Sequence, residues 1–185
     1  MGKIVLKYGL IAGAILVGML CTMMWLFKDS SDFESGESFG YLFIIGAFSM
    51  IFLGIREYRD KFSGGKINFN TGFRIGLLIT LISSACYVIG WMLYFHFIDD
   101  SFVEHYTAFY TEKLKASGGD PLKTEKEITD FHSQMTAYRK PHVMAIQTFL
   151  EVFPIGLIIT VLCALLMRRE KNSVDSEKNL TEEIS

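Results

Sequence analysis

Four long apolar segments, each bordered by charged residues, dominate the pattern of hydrophobic and polar positions in this chain. They are Tyr8–Phe27, Phe39–Ile55, Phe73–Ile98 and Val143–Met167. The hydrocarbon core of a bilayer is about 30 Å thick, and a helix needs roughly 20 apolar residues to cross it. Because backbone amides find no water there, each crossing segment must be helical. The pattern predicts an all-α integral membrane protein, with a four-helix bundle of spans over residues 1–169.

The second segment, Phe39–Ile55, is the shortest and lies near the lower limit for a span. The alternative is a hairpin lying at the membrane surface. That alternative would move the basic stretch from Arg56 to Arg74 away from the side that holds the other basic segments. Since cationic side chains stay on the cytoplasmic side during insertion, four spans are favoured.

Basic residues collect at the ends of the segments that four spans would bring to one side. They are Lys3, Lys7, Arg56, Arg59, Lys61, Lys66, Arg74, Arg168, Arg169 and Lys171. The loop after the first segment is acidic instead. We therefore expect a multi-pass protein of the bacterial cytoplasmic (inner) membrane with cytoplasmic N- and C-termini. The polar tail, residues 170–185, is expected to be disordered and cytoplasmic.

Small residues recur at helical spacing within the spans, which predicts close helix packing. They are Gly9, Gly13, Ala14 and Gly18; then Gly72, Gly76, Thr80, Ser83 and Gly90; then Gly156, Thr160 and Ala164. We interpret these stripes as seams inside the bundle rather than as a dimerisation surface. Similar openings at Lys7–Ile11 and Arg74–Leu78 leave open a two-plus-two repeat like that of some small transporters.

Residues 101–140 form the largest segment outside the apolar runs, with apolar residues at helical spacing on both sides of a break at 117–121. Ser101 with Glu104, and Thr124 with Glu127, match the capping box that starts a helix. These features predict an extracytoplasmic amphipathic helical hairpin between the third and fourth spans. Because so short a piece cannot bury its own core, it must pack on the spans, the membrane surface or a partner.

Glu151 is the acidic residue that lies well inside an apolar run, three residues before Pro154. A carboxylate in hydrocarbon is costly, so it must face the bundle, water or a partner. One interpretation is an outward-facing proton or cation site. We favour an interfacial glutamate that is paired or protonated, because its position is close to the outer boundary.

The four histidines, His96, His105, His132 and His142, all fall on the outer side, and together with Glu151 they suggest a periplasmic pH or metal sensor. His96, at the end of the third segment, and His142, directly before the fourth, are the candidate functional histidines. Their spacing contains no HxxxH or HxH pair, so surface histidines are favoured and no metal site is assigned. Nor do we assign a cofactor, a catalytic group or a nucleic-acid surface. Residues 63–68 lack the pattern of a phosphate loop and are interpreted as a tight turn.

Several ordered motifs resemble a bacterial inner-membrane family known as domain of unknown function four-one-nine-nine. They are Leu6–Gly13, Phe52–Asp60, Gly64–Ile67 and Phe149–Gly156. The resemblance covers roughly residues 4–169. It implies a helical integral membrane protein of Bacteroidota-type bacteria and implies no activity, ligand or catalytic residue.

We expect a non-enzymatic structural or interaction component that meets a protein partner, or a second copy of itself, in the lipid bilayer. The expected partner surface is an exposed aromatic stripe on the hairpin: Tyr106, Phe109, Tyr110, Phe131 and Tyr138. One alternative is a small ion- or proton-coupled transporter or channel acting as a homodimer, with Glu151 as the coupling carboxylate. The other alternative is the sensor that uses the outer histidines.

Overall fold

The computed structural model describes residues 1–27, 33–97, 102–116, 118 and 120–168, and for 25–27, 33–42 and 102 it describes the backbone alone. Several sequence predictions lie outside the described residues. These are the cap at Ser101, part of the acidic loop after the first segment, and the tail at 170–185.

Helices account for nearly all of the described chain. They are α1 (Gly2–Phe27), α2 (Phe33–Phe62), α3 (Phe69–Phe97), α4 (Phe102–Ala116), α5 (Pro121–Tyr138) and α6 (Pro141–Met167). The all-α prediction is therefore confirmed. Within the described residues, three helical segments are long and apolar enough to cross a membrane: Gly2–Met24, Phe69–Phe97 and Pro141–Met167.

The long helices α1, α2, α3 and α6 pack on one another. Both α1 and α6 contact α2 and α3, and α2 also contacts α3. Large side chains from all four helices fill the common core, among them Leu16, Phe48, Ile51, Ile79 and Val152. The second apolar segment lies within one continuous helix of 30 residues, not in a hairpin.

Glycines set the closest approach in the α3–α6 seam. A Cβ built on Gly76 would lie 2.7 Å from Thr160 Cγ2, and one built on Gly156 would lie 2.5 Å from Thr80 Cγ2. Gly72 lies beside Ala164 in the same seam. Since small side chains allow helix backbones to approach, the predicted stripes of the third and fourth segments do pack against each other.

The predicted stripe of small residues in the first segment is confirmed only for its first half. A Cβ on Gly9 would meet Ile82 at 2.8 Å, and one on Gly13 would meet Cys86 at 2.6 Å, so these two glycines pack α1 on α3. Gly18 and Ala14 are exposed, and nothing lies within 4 Å of a Cβ on Gly18. Including them in the seam was wrong, because they lie on the opposite side of the helix from Ala12 and Leu16, which are buried.

The described surface is more apolar, and the interior richer in hydroxyl groups, than is usual for a water-soluble protein. Hydroxyl side chains lie inside: Thr80, Ser83, Ser84, Thr148 and Thr160 are buried. Large apolar side chains lie outside, including Leu10, Ile15, Ile89, Leu93, Ile158, Leu162 and Leu166. Exposed apolar surface of this extent suits a lipid solvent rather than water. This distribution, together with the three candidate spans, is consistent with a membrane protein.

Residues 63–68 form a tight turn between α2 and α3, as predicted. Gly64 and Gly65 have φ angles of +58° and +79°, in the left-handed region where glycine carries no steric cost. Asn68 directly precedes α3 and caps it, because its Oδ1 accepts a hydrogen bond from Thr71 N at 2.9 Å.

The start of α5 differs from the capping box predicted at Thr124 and Glu127. The helix begins at Pro121, and Asp120 Oδ1 accepts a hydrogen bond from Leu122 N at 3.1 Å. Thr124 and Glu127 therefore lie within the helix, and the capping box assigned to them was wrong. The physical reason is that proline is favoured at the first helical position, and an aspartate before it is already a strong cap.

Candidate functional sites

Tyr138, at the end of α5, joins α4 and α5 to the long helices. Its hydroxyl accepts a hydrogen bond from Trp91 Nε1 of α3 at 2.6 Å. Its ring packs against a cluster that contains Leu20 and Met144. Burial is the main reason that the pKa of Tyr138 is raised, and the charge of Glu151 acts in the same direction, whereas hydrogen bonds with Thr148 and Trp91 act against it. We call this end of the long helices the hairpin end.

Glu151 lies on the surface of α6 at the hairpin end. Its side chain is exposed, and its charge is close enough to Tyr138 to influence the pKa of that hydroxyl. The neighbouring Thr148, on the preceding turn, is buried instead. Glu151 therefore does not point into the packed interior.

The aromatic stripe is not the exposed surface that the sequence suggested. Tyr110 and Phe131 have ring centroids 4.2 Å apart, and Tyr106 lies 6.0 Å from Phe131. All five residues, including Phe109 and Tyr138, are half-buried. The expectation of exposure was wrong because the apolar faces of α4 and α5 cover each other, as amphipathic helices do when they pair. An ion pair between Glu104 and Arg139 also joins α4 to the end of α5.

The exposed side of α4 and α5 is polar. It carries charges of both signs: Glu112, Lys113 and Lys115 on α4, and Lys123, Glu125, Lys126, Glu127 and Asp130 on α5. Leu122, at 78% exposure, is the apolar exception near the start of α5. Any contact made through this side would rest on charged and polar groups.

The histidines are exposed side chains. His96 contacts the ring of Phe97 edge-on at 4.8 Å, and His132 Nε2 lies 3.4 Å from Thr111 Oγ1. His142 is exposed at the start of α6. Among the residues that the structure describes, no group of three or more His, Cys, Asp or Glu side chains is placed to hold a metal ion.

At the opposite end of the long helices, Glu57 collects three hydrogen bonds on one carboxylate. Tyr8 Oη donates to Oε2 at 2.6 Å, Lys7 Nζ donates to the same oxygen at 3.0 Å, and Lys61 Nζ donates to Oε1 at 2.8 Å. The bonds from Lys61, Tyr8 and Lys7, in that order, lower the pKa of Glu57 from 4.5 to about 2. We call Lys7, Tyr8, Glu57 and Lys61 the Glu57 clasp, since it joins α1 to α2.

The clasp belongs to a strongly cationic end of the molecule, which we call the basic end. Its cationic side chains are Lys3, Lys7, Arg56, Arg59, Lys61, Lys66, Arg74 and Arg168. Arg59 also joins α2 to α6, because its Nη1 donates to Met167 Sδ at 3.2 Å. Asp60 is held by Arg59 and Arg56, which lower the pKa of its carboxyl group.

Buried hydroxyls cross the α3–α6 seam midway between the two ends. Thr80 Oγ1 donates to Gly76 O at 3.0 Å and lies 3.0 Å from Thr160 Oγ1. Ser83, which lies beside Gly13 of α1, donates within α3 from its Oγ to Ile79 O at 2.9 Å. These bonds satisfy polar groups that lipid could not satisfy. The glycine contacts around them allow the two helices to pack tightly.

A family model described as protein of unknown function (DUF4199) matches residues 7–169. The chain belongs to this family. The match confirms the resemblance drawn from the sequence motifs, and it extends over both the hairpin end and the basic end. No curated protein and no solved structure matches the chain.

In this DUF4199 protein, sequence reasoning missed the Glu57 clasp and the hydrogen bond between Trp91 and Tyr138. Lys7 was interpreted only as an orientation signal, and Glu57 was not singled out, since nothing local links positions so far apart in the chain. An acidic residue within an otherwise basic stretch was the available signal for Glu57. For the Trp91–Tyr138 contact, the signal was two amphipathic aromatics near the C-terminal ends of α3 and α5.

Proposed function

We propose that this chain is a four-span inner-membrane protein with both termini in the cytoplasm, and that it works as a non-enzymatic interaction component. In this proposal α1, α2, α3 and α6 are the spans, and α4 with α5 is an extracytoplasmic hairpin that meets a protein partner. The observation that carries it is the hairpin end, where a mostly polar, charged helix pair is fixed to an apolar set of long helices.

The proposed topology draws support from the positions of the charges. Contacts between Lys7 and Glu57, and between Arg59 and Met167, bring the start of α1 and the ends of α2 and α6 together. At 1.5 Å per residue, the 30 residues of α2 extend about 45 Å, enough to cross a bilayer. A basic end of this kind favours the cytoplasmic side.

The hairpin is suited to presenting a fixed surface. Its aromatic rings hold α4 and α5 together, and the Trp91–Tyr138 hydrogen bond holds α5 to α3. A surface that is already ordered loses less conformational entropy when a partner binds. We therefore place the proposed partner contact on the exposed charges of α5 rather than on the aromatic stripe.

The transporter alternative is not developed further, because one of its two supports, beside the possible two-plus-two repeat, was a buried acid, and Glu151 is exposed. The sensor alternative is not developed further either, because the histidines are exposed and are not grouped in one place.

A photocrosslinking amino acid at Glu127, which is exposed on α5, tests the proposal in cells that make the protein at its natural level. We expect one defined protein to be captured, and the charge reversal K123E/K126E to abolish that capture. The matched control is the same crosslinker at Phe131, which should capture only α4 of the same chain, because Phe131 packs on Tyr106 and Tyr110. Capture of lipid alone, or capture that is unchanged by K123E/K126E, would count against the proposed partner surface.

A further inference from the structure

We infer that Lys7 and Lys61 form a binding site for the phosphate group of one anionic phospholipid, whose acyl chains lie along the α1–α2 groove. The inference rests on the proposed membrane placement, but not on its orientation or on a protein partner.

The Glu57 clasp holds two ammonium groups in one place. Each ammonium carries three donors, and each gives one to the carboxylate of Glu57, at 3.0 Å for Lys7 and 2.8 Å for Lys61. The side chains of Lys7 and Lys61 remain 54% and 65% exposed. Glu57 therefore fixes both cations while leaving donors directed to the surroundings, which is what a phosphate oxygen requires.

The surrounding charge favours an anion over a zwitterion. Among the described residues, the basic end carries eight cationic side chains and two acidic ones, Glu57 and Asp60. Both acids already accept hydrogen bonds from cationic neighbours. The excess of positive charge among these described residues favours an anion at this end, and anionic headgroups at a membrane surface supply such charge.

An apolar path begins one helical turn from Lys7 on α1 and one helical turn from Glu57 on α2. On α1, Leu10 and Ile11 follow Lys7 by three and four residues and are 49% and 40% exposed. On α2, Leu53 precedes Glu57 by four residues and is 38% exposed. Residues at these spacings share a helix face, so both apolar strips lead from the clasp toward the middle of the long helices. This continuity favours a lipid over a soluble phosphate compound.

The test uses native mass spectrometry of the full-length protein, purified in detergent micelles that contain equal amounts of phosphatidylglycerol and phosphatidylcholine with the same acyl chains. We expect bound phosphatidylglycerol to exceed bound phosphatidylcholine. Because one basic residue near a membrane surface contributes about fivefold in affinity, K61Q should reduce that preference about fivefold and K7Q/K61Q should reduce it further. K7R/K61R, which keeps both charges, should retain it.

The matched control is K123Q/K126Q, which removes two exposed lysines of α5 at the other end of the molecule. The site would be refuted if K61Q and K7Q/K61Q kept the wild-type preference, or if K123Q/K126Q lost as much of it. The lipid assignment would be refuted if inorganic phosphate at the concentration of the lipid displaced phosphatidylglycerol. Since these measurements use neither a partner nor a sealed membrane, their failure would leave the proposed function untouched.

Discussion

At the scale of single residues, the α3–α6 seam shows how little room the long helices leave. Gly156 lies against Thr80 and the ring of Phe48, and both of these side chains are fully buried. Neither neighbour can move into solvent, so the space at position 156 is fixed by packing from two helices. Interiors packed in this way respond to the addition of a single carbon.

We predict that Gly156→Ala lowers the free energy of unfolding by about 1–3 kcal/mol, because overpacking a filled contact forces neighbours to shift. The added Cβ would lie 2.5 Å from Thr80 Cγ2 and 2.7 Å from Phe48 Cζ. Thermal unfolding in detergent measures the effect. The control is Gly18→Ala, where nothing lies within 4 Å and higher helix propensity should give a stability equal to or above wild type by up to about 1 kcal/mol. Equal losses of stability in Gly156→Ala and Gly18→Ala would contradict close packing in the α3–α6 seam.

The sequence allowed these glycines to be recognised but not sorted. A spacing of four residues pairs Gly9 with Gly13 and Ala14 with Gly18, yet only the first pair is buried. A stripe identifies candidate faces, whereas the neighbouring helix decides which part of a face is covered. That decision depends on contacts between residues distant in sequence, such as Gly13 with Cys86.

At the scale of helices, the pairing of α1 with α2 depends on ionisation at the Glu57 clasp. The pKa of Glu57 lies at about 2, below its ordinary value of 4.5, so the folded state favours the charged carboxylate. The stabilisation is fully present above the ordinary pKa. It is lost as the pH falls from about 4.5 toward about 2.

We therefore predict that acid loosens the α1–α2 pair before the α3–α6 seam, whose hydroxyl groups do not titrate. Hydrogen exchange of α1 and α2 amides at a series of pH values below 5 measures this. Glu57→Gln should raise their exchange at neutral pH and weaken its dependence on pH. Glu127→Gln, an exposed glutamate on α5, is the matched control and should leave both unchanged. An α1–α2 pair with the same acid response in Glu57→Gln as in wild type would show that the clasp does not stabilise it.

Helix periodicity predicted the existence of α4 and α5 but not what covers them. The spacing of Tyr106, Tyr110 and Phe131 identified an apolar face on each helix. The two faces contact each other, which a count of apolar positions cannot distinguish from contact with a partner. Likewise, Asp120 and Thr124 are both good caps by residue type, and Pro121 decides between them.

At the scale of the whole molecule, the sides of the long helices expose apolar side chains, and the described charges lie mostly at the two ends. The basic end carries mainly positive charge, whereas the hairpin end presents charges of both signs. Length and hydropathy were sufficient to predict the helices and the membrane class. They do not decide whether α2 crosses the bilayer, because its apolar segment is short and its ends are polar.

The topology is tested by labelling single cysteines introduced at three positions. In a variant lacking Cys21, Cys86 and Cys163, single cysteines replace Lys3, Lys66 or Asp120 and are treated with a membrane-impermeant maleimide on intact cells. If α1 and α2 both cross, Lys3 and Lys66 lie on the same side, and α3 places Asp120 on the other. We expect Asp120→Cys to react from outside, and Lys3→Cys and Lys66→Cys to react only after permeabilisation, since positive charge is retained in the cytoplasm. If α2 lay on the membrane surface, Lys3→Cys and Lys66→Cys would react from opposite sides, and the four-span topology would be wrong.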